Sequence, residues 1–234
     1  MPEVSLEHMG YAQLTRFLAA HSGLPGPRAN LSLMKQAAAS LPDETLERLV
    51  TENDEYLRCC GVRGLGERII RSPEEERASL ISQLTAETHH DSWRVREAAA
   101  MAGQRIGDAD PPQLRELVRK WLSDSGDPLQ LRAAIATICE PRLLVDKSTA
   151  ALALDACDMA GAALVANDQE TRRSRPWRVL RQALGYCWSV AIAAEPENGL
   201  QRFAELEANP DKDLSWIVRQ NRRKRRLRAL RETG

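Results

Sequence analysis

Five segments of this 234-residue chain align on one arginine preceded by a branched aliphatic residue: Leu57-Arg58, Val95-Arg96, Leu131-Arg132, Leu180-Arg181 and Val218-Arg219. The intervals between these arginines are 38, 36, 49 and 38 residues. Small or apolar residues follow in three of the segments, as in Ala98-Ala99-Ala100, Ala133-Ala134-Ile135 and Ala183-Leu184-Gly185. A unit of this length has room for two helices and two turns. One such pair leaves an apolar face bare, and only stacking on the next pair covers it, so the repeat predicts a solenoid.

Between the repeat marks the signals are helical. Ser72-Pro73-Glu74-Glu75-Glu76 reads as an N-cap, a proline at the first helical position and acids at the positive end of the helix dipole. Asp110-Pro111 and Asn209-Pro210-Asp211 punctuate in the same way. Leu114, Leu117, Val118, Trp121 and Leu122 fall at i, i+3, i+4, i+7 and i+8, which is one stripe of a helix. No run alternates with the period of a strand. The reading is all-α: an α-α superhelix of about five helical pairs. Residues 1–50 form an N-terminal helical cap, and residues 51–234 the repeat array with a basic C-terminal helix. In the cap, helices over 11–20 and 31–39 flank the turn Gly23-Leu24-Pro25-Gly26-Pro27. The longest interval predicts a longer connection over 167–176.

Hydrophobic residues make up 43% and charged residues 28% of the chain, which suits a folded protein rather than a disordered one. The formal net charge of zero conceals a polarity. Residues 219–234 hold eight basic side chains against Glu232 alone, seven positive charges net, so residues 1–218 are seven negative net. The longest apolar stretch, 150–166, contains Asp155 and Asp158, which argues against a membrane span. The N-terminus lacks the basic and apolar regions of a secretory signal. The five cysteines form no CxxC pair and sit in apolar surroundings, so a reduced, cytoplasmic protein is expected. His8, His21, His89 and His90 show no metal-ligand spacing, and no phosphate-binding or nucleophile motif is present. The glycines of Gly61-Val62-Arg63-Gly64-Leu65-Gly66 lie inside a helical pattern, where small residues allow close helix contact. No catalytic residue, metal or cofactor is assigned.

Four blocks carry a family resemblance: Trp93-Arg94-Val95-Arg96-Glu97, Cys139-Glu140-Pro141-Arg142-Leu143-Leu144, Leu184-Gly185-Tyr186-Cys187-Trp188-Ser189-Val190-Ala191 and Trp216-Ile217-Val218-Arg219-Gln220-Asn221. Together they resemble bacterial HEAT-repeat proteins of unassigned function. More distantly, the chain is similar to the alkylpurine DNA glycosylases built from HEAT-like repeats. The first resemblance implies a non-enzymatic scaffold that presents a concave surface to a protein partner. The second implies the alternative, a DNA-binding protein or, as an enzyme, a glycosylase-like protein of DNA alkylation repair.

The candidate binding residues follow from the repeat. In three units an acid precedes the arginine by five or six residues, so Arg96, Arg132 and Arg219 are expected to pair with Asp91, Asp127 and Asp213. Arg58 and Arg181 have no equally placed aspartate in that register and are candidates for binding. Trp93, Trp177 and Trp216 stand three or four residues before their arginines and are expected along one edge, either stacking bases or plugging the gaps between layers. Trp121 and Trp188 belong to core stripes. Two basic clusters are expected to contact nucleic acid or a protein: Arg172, Arg173, Arg175, Arg178 and Arg181, and Arg222, Arg223, Lys224, Arg225 and Arg226. The second is read as one continuous helix, with Leu227 and Leu230 packed inward. Asp155 and Asp158, at i and i+3, are either buried acids or the exposed edge of an alanine-rich helix.

Overall fold

Each of the five arginine segments lies on its own helix in the computed structural model, which describes residues 5–124 and 126–232. Among these residues there are fourteen α-helices and no strand, an all-α fold of helical repeats. The helices cluster into two compact units, Met1–Ala109 and Asp110–Gly234.

The first unit runs α1 (Tyr11–Ala20), α2 (Leu31–Ser40), α3 (Asp43–Val50), α4 (Glu55–Arg71), α5 (Glu74–Glu87) and α6 (Trp93–Ala109). The hairpin expected near the N-terminus is present as α1 and α2, and α3 follows it. Central to the unit is α4, which packs against all five of the others. Its glycines make that possible. A Cβ on Gly61 would collide with the backbone of Leu49 and Val50, and one on Gly66 would meet the Ala102 carbonyl at 2.5 Å. The glycine run is therefore a packing device, as its helical setting predicts. Asp54 caps α4 by accepting the Tyr56 and Leu57 N–H groups. The cap expected at Ser72 differs: Ser72 ends α4, Pro73 stands at the N-cap without a side-chain bond, and the three acids form the first turn of α5.

The second unit runs α7 (Pro111–Leu122), α8 (Pro128–Ile138), α9 (Lys147–Val165), α10 (Gln169–Arg172), α11 (Arg175–Ala194), α12 (Pro196–Ala208), α13 (Lys212–Arg222) and α14 (Arg225–Glu232). Asp110, Asp127, Asp146, Asp168 and Asp211 cap α7, α8, α9, α10 and α13 through their carboxylates. The predicted stripe of α7 is buried in full. Here α11 is central, packed against α8, α9, α12, α13 and α14. Trp121 and Trp188 are fully buried, as expected of core residues. The long 49-residue interval contains α10 in its connection, and α9 and α11, at 19 and 20 residues, absorb further length. By length and composition α9 alone among the described helices could cross a membrane, but 61% of its apolar window is buried inside the protein.

The basic C-terminal run is not one helix. The chain turns at Arg223 and Lys224, and α14 returns onto α11. The turn brings Leu227 to full burial while Leu230 stays half-buried, and it moves Arg222 and Arg226 off the one helical face where they would repel. All five cysteines are free and buried. Burial raises the Cys59 thiol to about 12 and also raises Cys60 and Cys157. Cys139 is raised by its contact with Cys157, whose Sγ lies 3.9 Å away.

Candidate functional site

An apolar cavity lies within the first unit, where the start of α2 and the turn before it face α6. Its volume is about 340 Å³, and Pro27, Leu31, Met34, Trp93, Ala98 and Met101 supply its apolar walls. Leu31 is 52% and Trp93 54% exposed. Most other large apolar side chains of the unit are buried, so these two stand out. Polar bonds hold the walls in place. The buried Tyr56 of α4 donates its hydroxyl to the Asn30 carbonyl at 2.7 Å, and the Asn30 side chain accepts the Leu33 N–H. Arg94 pairs with Glu55 at 3.1 Å, donates to the Gly26 carbonyl and lies over the Trp93 ring at 4.8 Å. Ser92 Oγ also donates to Glu55, which ties the start of α6 to the start of α4. The groove is thus preformed, with Arg28, Arg94 and Glu97 as its charged lining. Of its residues only Trp93 was singled out in the sequence. Leu31 and Met101 meet it only through the fold, although an unexplained apolar residue directly after an Asn cap is a weak signal.

Elsewhere the predicted binding arginines are mostly engaged. Arg58 has an acid after all: its Nε and Nη2 donate to the buried Glu87 carboxylate at 3.0 and 2.7 Å. That hydrogen bond is the main reason the Arg58 guanidinium is held even more firmly charged. Arg181 likewise pairs with Asp213 at 2.6 Å. In both cases the acid comes from a helix far along the chain, outside the upstream window that the repeat register searches. Arg172, its side chain only 9% exposed, is held within the second unit rather than offered to a partner. It donates to the Asn167 and Val165 carbonyls and pairs with Asp211 at 2.6 Å. Burial alone would raise the Asp211 carboxyl, but Arg172 and two backbone N–H groups bring it below the ordinary range.

Arg219 does not pair with Asp213 as expected, and it is exposed. Asp213 lies inside α13 rather than before it, and six residues on a helix turn through about 600°, which leaves the two side chains about 120° apart around the axis. Arg96 is buried and donates to the His90 and Asp91 carbonyls at 2.6 and 2.9 Å, closing the turn after α5. The cations that remain exposed are Arg173, Arg175 and Arg178 near the start of α11, and Arg222, Arg223 and Arg225 at the far end of α13 and the start of α14. Arg222 pairs with Glu207 at 2.8 Å. Lys224 and Arg226 both lie over the Tyr186 ring, at 5.2 and 5.0 Å. Tyr186 is eight residues beyond Arg178 on α11, about 12 Å along the axis, so the two clusters do not merge there.

The three tryptophans do not share an environment. Trp93 is open, Trp177 is buried, and Trp216 is half-buried between Gly185 and the Arg181 guanidinium, 4.6 Å above its ring. Trp177 stands four residues before its arginine where the others stand three, and that one-residue offset rotates it about 100° into the core. Asp155 and Asp158 form the partly exposed edge of α9, both bound by Arg202 at 2.7 Å. Burial still raises the Asp158 carboxyl above its ordinary value, against the pull of Arg202. Trp188 lines the same cavity of about 250 Å³ as Asp158, but it has no exposed surface.

No family model matches the chain. No curated protein matches it either. Among solved structures it is similar to an engineered protein, at 17% identity over 98% of this chain and 95% of that one, with a TM-score of 0.38. It is also similar to a designed armadillo repeat protein in complex with the peptide (KR)4, at 16% identity over 93% of this chain and 95% of that one, with a TM-score of 0.41.

Proposed function

We propose that the protein is a non-enzymatic binding scaffold whose first unit takes an apolar side chain of a protein partner in the groove between α2 and α6. One observation carries this reading: Leu31 and Trp93, each more than half exposed, line a preformed apolar cavity of about 340 Å³. That volume falls at the small end of ligand clefts, roughly 300–1,000 Å³. Leaving two large apolar side chains in water forgoes roughly 25 cal/mol for each Å² that packing would bury, and a partner recovers that loss. The lining holds arginines and one glutamate but no nucleophile–base pair, so it serves recognition rather than bond cleavage. The DNA alternative keeps the exposed arginines of the second unit, while Trp177 is withdrawn from the stacking surface on which it relied.

Selection of random displayed peptides on the full chain tests the scaffold reading. Enriched peptides should share a large apolar anchor, and Trp93→Ala should weaken them by about tenfold or more, equivalent to about 1.4 kcal/mol. Trp93 is exposed, so the variant should fold as the parent does. Peptides that bind Trp93→Ala equally well, or the absence of any enrichment, would overturn the assignment.

A further inference from the structure

We infer that the second unit carries a separate docking surface, an apolar groove with a basic rim that takes an acidic amphipathic segment of a protein partner. The groove lies between the turn after α8, the C-terminal half of α11 and α14. Pro141, Leu144, Val145, Val190, Ala194 and Arg226 line it, around a volume of about 430 Å³. Val145 is 84% exposed, the most exposed large apolar residue described. Leu143 and Leu144 beside it are buried, so the run anchors its first two residues and presents the third. One turn before Val190 on α11, Tyr186 is 42% exposed.

The rim is cationic because the chain turns at Arg223 and Lys224. Arg226 of α14 donates to the Tyr186 hydroxyl at 2.9 Å and lies over its ring with Lys224. Arg223, Arg225 and Arg228 are exposed around it. Most neighbouring acids are already engaged. Glu140 pairs with Arg142 at 2.9 Å, Asp146 with Arg115 at 2.7 Å, and Glu207 with Arg222. Glu195, at the end of α11, accepts only from the neutral Asn198 and leaves its Oε2 unpartnered, so it offsets one of the rim's charges. The rim therefore presents positive charge that its own unit does not fully balance.

Charge alone would suit any polyanion, but the apolar floor selects among them. Nucleic-acid phosphate would satisfy the arginines and leave Val145, Ala193 and Ala194 in water. A lipid surface is entered by protruding apolar side chains, whereas Leu144, Val190 and Ala194 line a recess. A helix with apolar residues on one face and carboxylates beside them meets both demands, the helix-in-groove mode of recognition. Arginine adds the forked geometry that carboxylates match in pairs.

The test measures binding of the full chain to a fluorescent helical peptide with leucines on one face and glutamates on the other. A scrambled peptide of the same composition and a DNA duplex serve as comparisons, each across a salt series. The amphipathic peptide should bind at least about tenfold more tightly than the scrambled one. Val145→Gln, at a side chain almost wholly in solvent, should lower that affinity about tenfold and leave the DNA signal unchanged. Arg226→Glu should weaken every anionic probe, and Trp93→Ala should change none of these signals, which keeps this groove distinguishable from that of the first unit. Equal binding of the two peptides and DNA, or indifference to Val145→Gln, would make the surface a general polyanion site. Absence of binding to the amphipathic peptide would overturn the proposal outright.

Discussion

The central helices of the two units, α4 and α11, occupy equivalent places in the repeat and are held by opposite means. Backbone approach fastens α4: Gly61 lies against α3 and Gly66 against Ala102 of α6, with no room for a methyl group. Polar side chains fasten α11 to α13. Arg181 reaches Asp213, the Trp216 ring fills the space over Gly185, and the buried Asn221 donates to the Leu184 carbonyl and accepts the Ser189 N–H. One repeat pattern thus tolerates a seam centre closed by dry backbone contact or by hydrogen bonds, while the Glu55–Arg94 and Glu67–Arg105 pairs still border the α4–α6 seam. At the dry centre the repeat arginine turns elsewhere, as Arg58 does to Glu87, whereas at the polar one it is a rung.

The largest effect should come from breaking the dry seam. Gly61→Leu forces a side chain into the backbone of α3 and should cost about 3 kcal/mol or more, with loss of the first unit's structure in chemical denaturation. Breaking the polar seam should cost less. Asn221→Ala strands the Ser189 N–H and should lower stability by about 1–3 kcal/mol, read as a shift of the urea midpoint at unchanged slope. The sharpest contrast is the smallest. Gly185→Ala puts a methyl 3.0 Å from the Trp216 ring, which is half-buried and can yield. The helix gains about 0.8–1.0 kcal/mol over glycine, so the variant should be near neutral. A large loss at Gly185 would show the two seams to be equally rigid.

The architecture was legible because it is written in local terms. The Asp110–Pro111 start, the stripe on α7 and the placing of each arginine segment on its own helix depend on residues within a few turns of one another, and these appear where they were expected. The functional surfaces depend on distant residues. Arg58 and Glu87 are joined by a helical hairpin, and Leu31 meets Trp93 only because α2 and α6 both flank α4. The turn at Arg223 and Lys224 contains neither glycine nor proline, so nothing local announces it; the burial of Leu227 against α11 decides it. Trp177 shows how narrow the margin is, since one residue of offset separates a surface ring from a core ring.

The burial of all five thiols has a practical consequence. The high proton affinity of Cys59, Cys60, Cys139 and Cys157, and the burial of all five thiols, should leave the native protein inert to maleimide reagents under folding conditions. A single cysteine placed beside a groove, at the exposed Ser32 or Ser148, would then take a fluorophore alone, without first removing any native cysteine. Two such variants would report the occupancy of the two grooves separately.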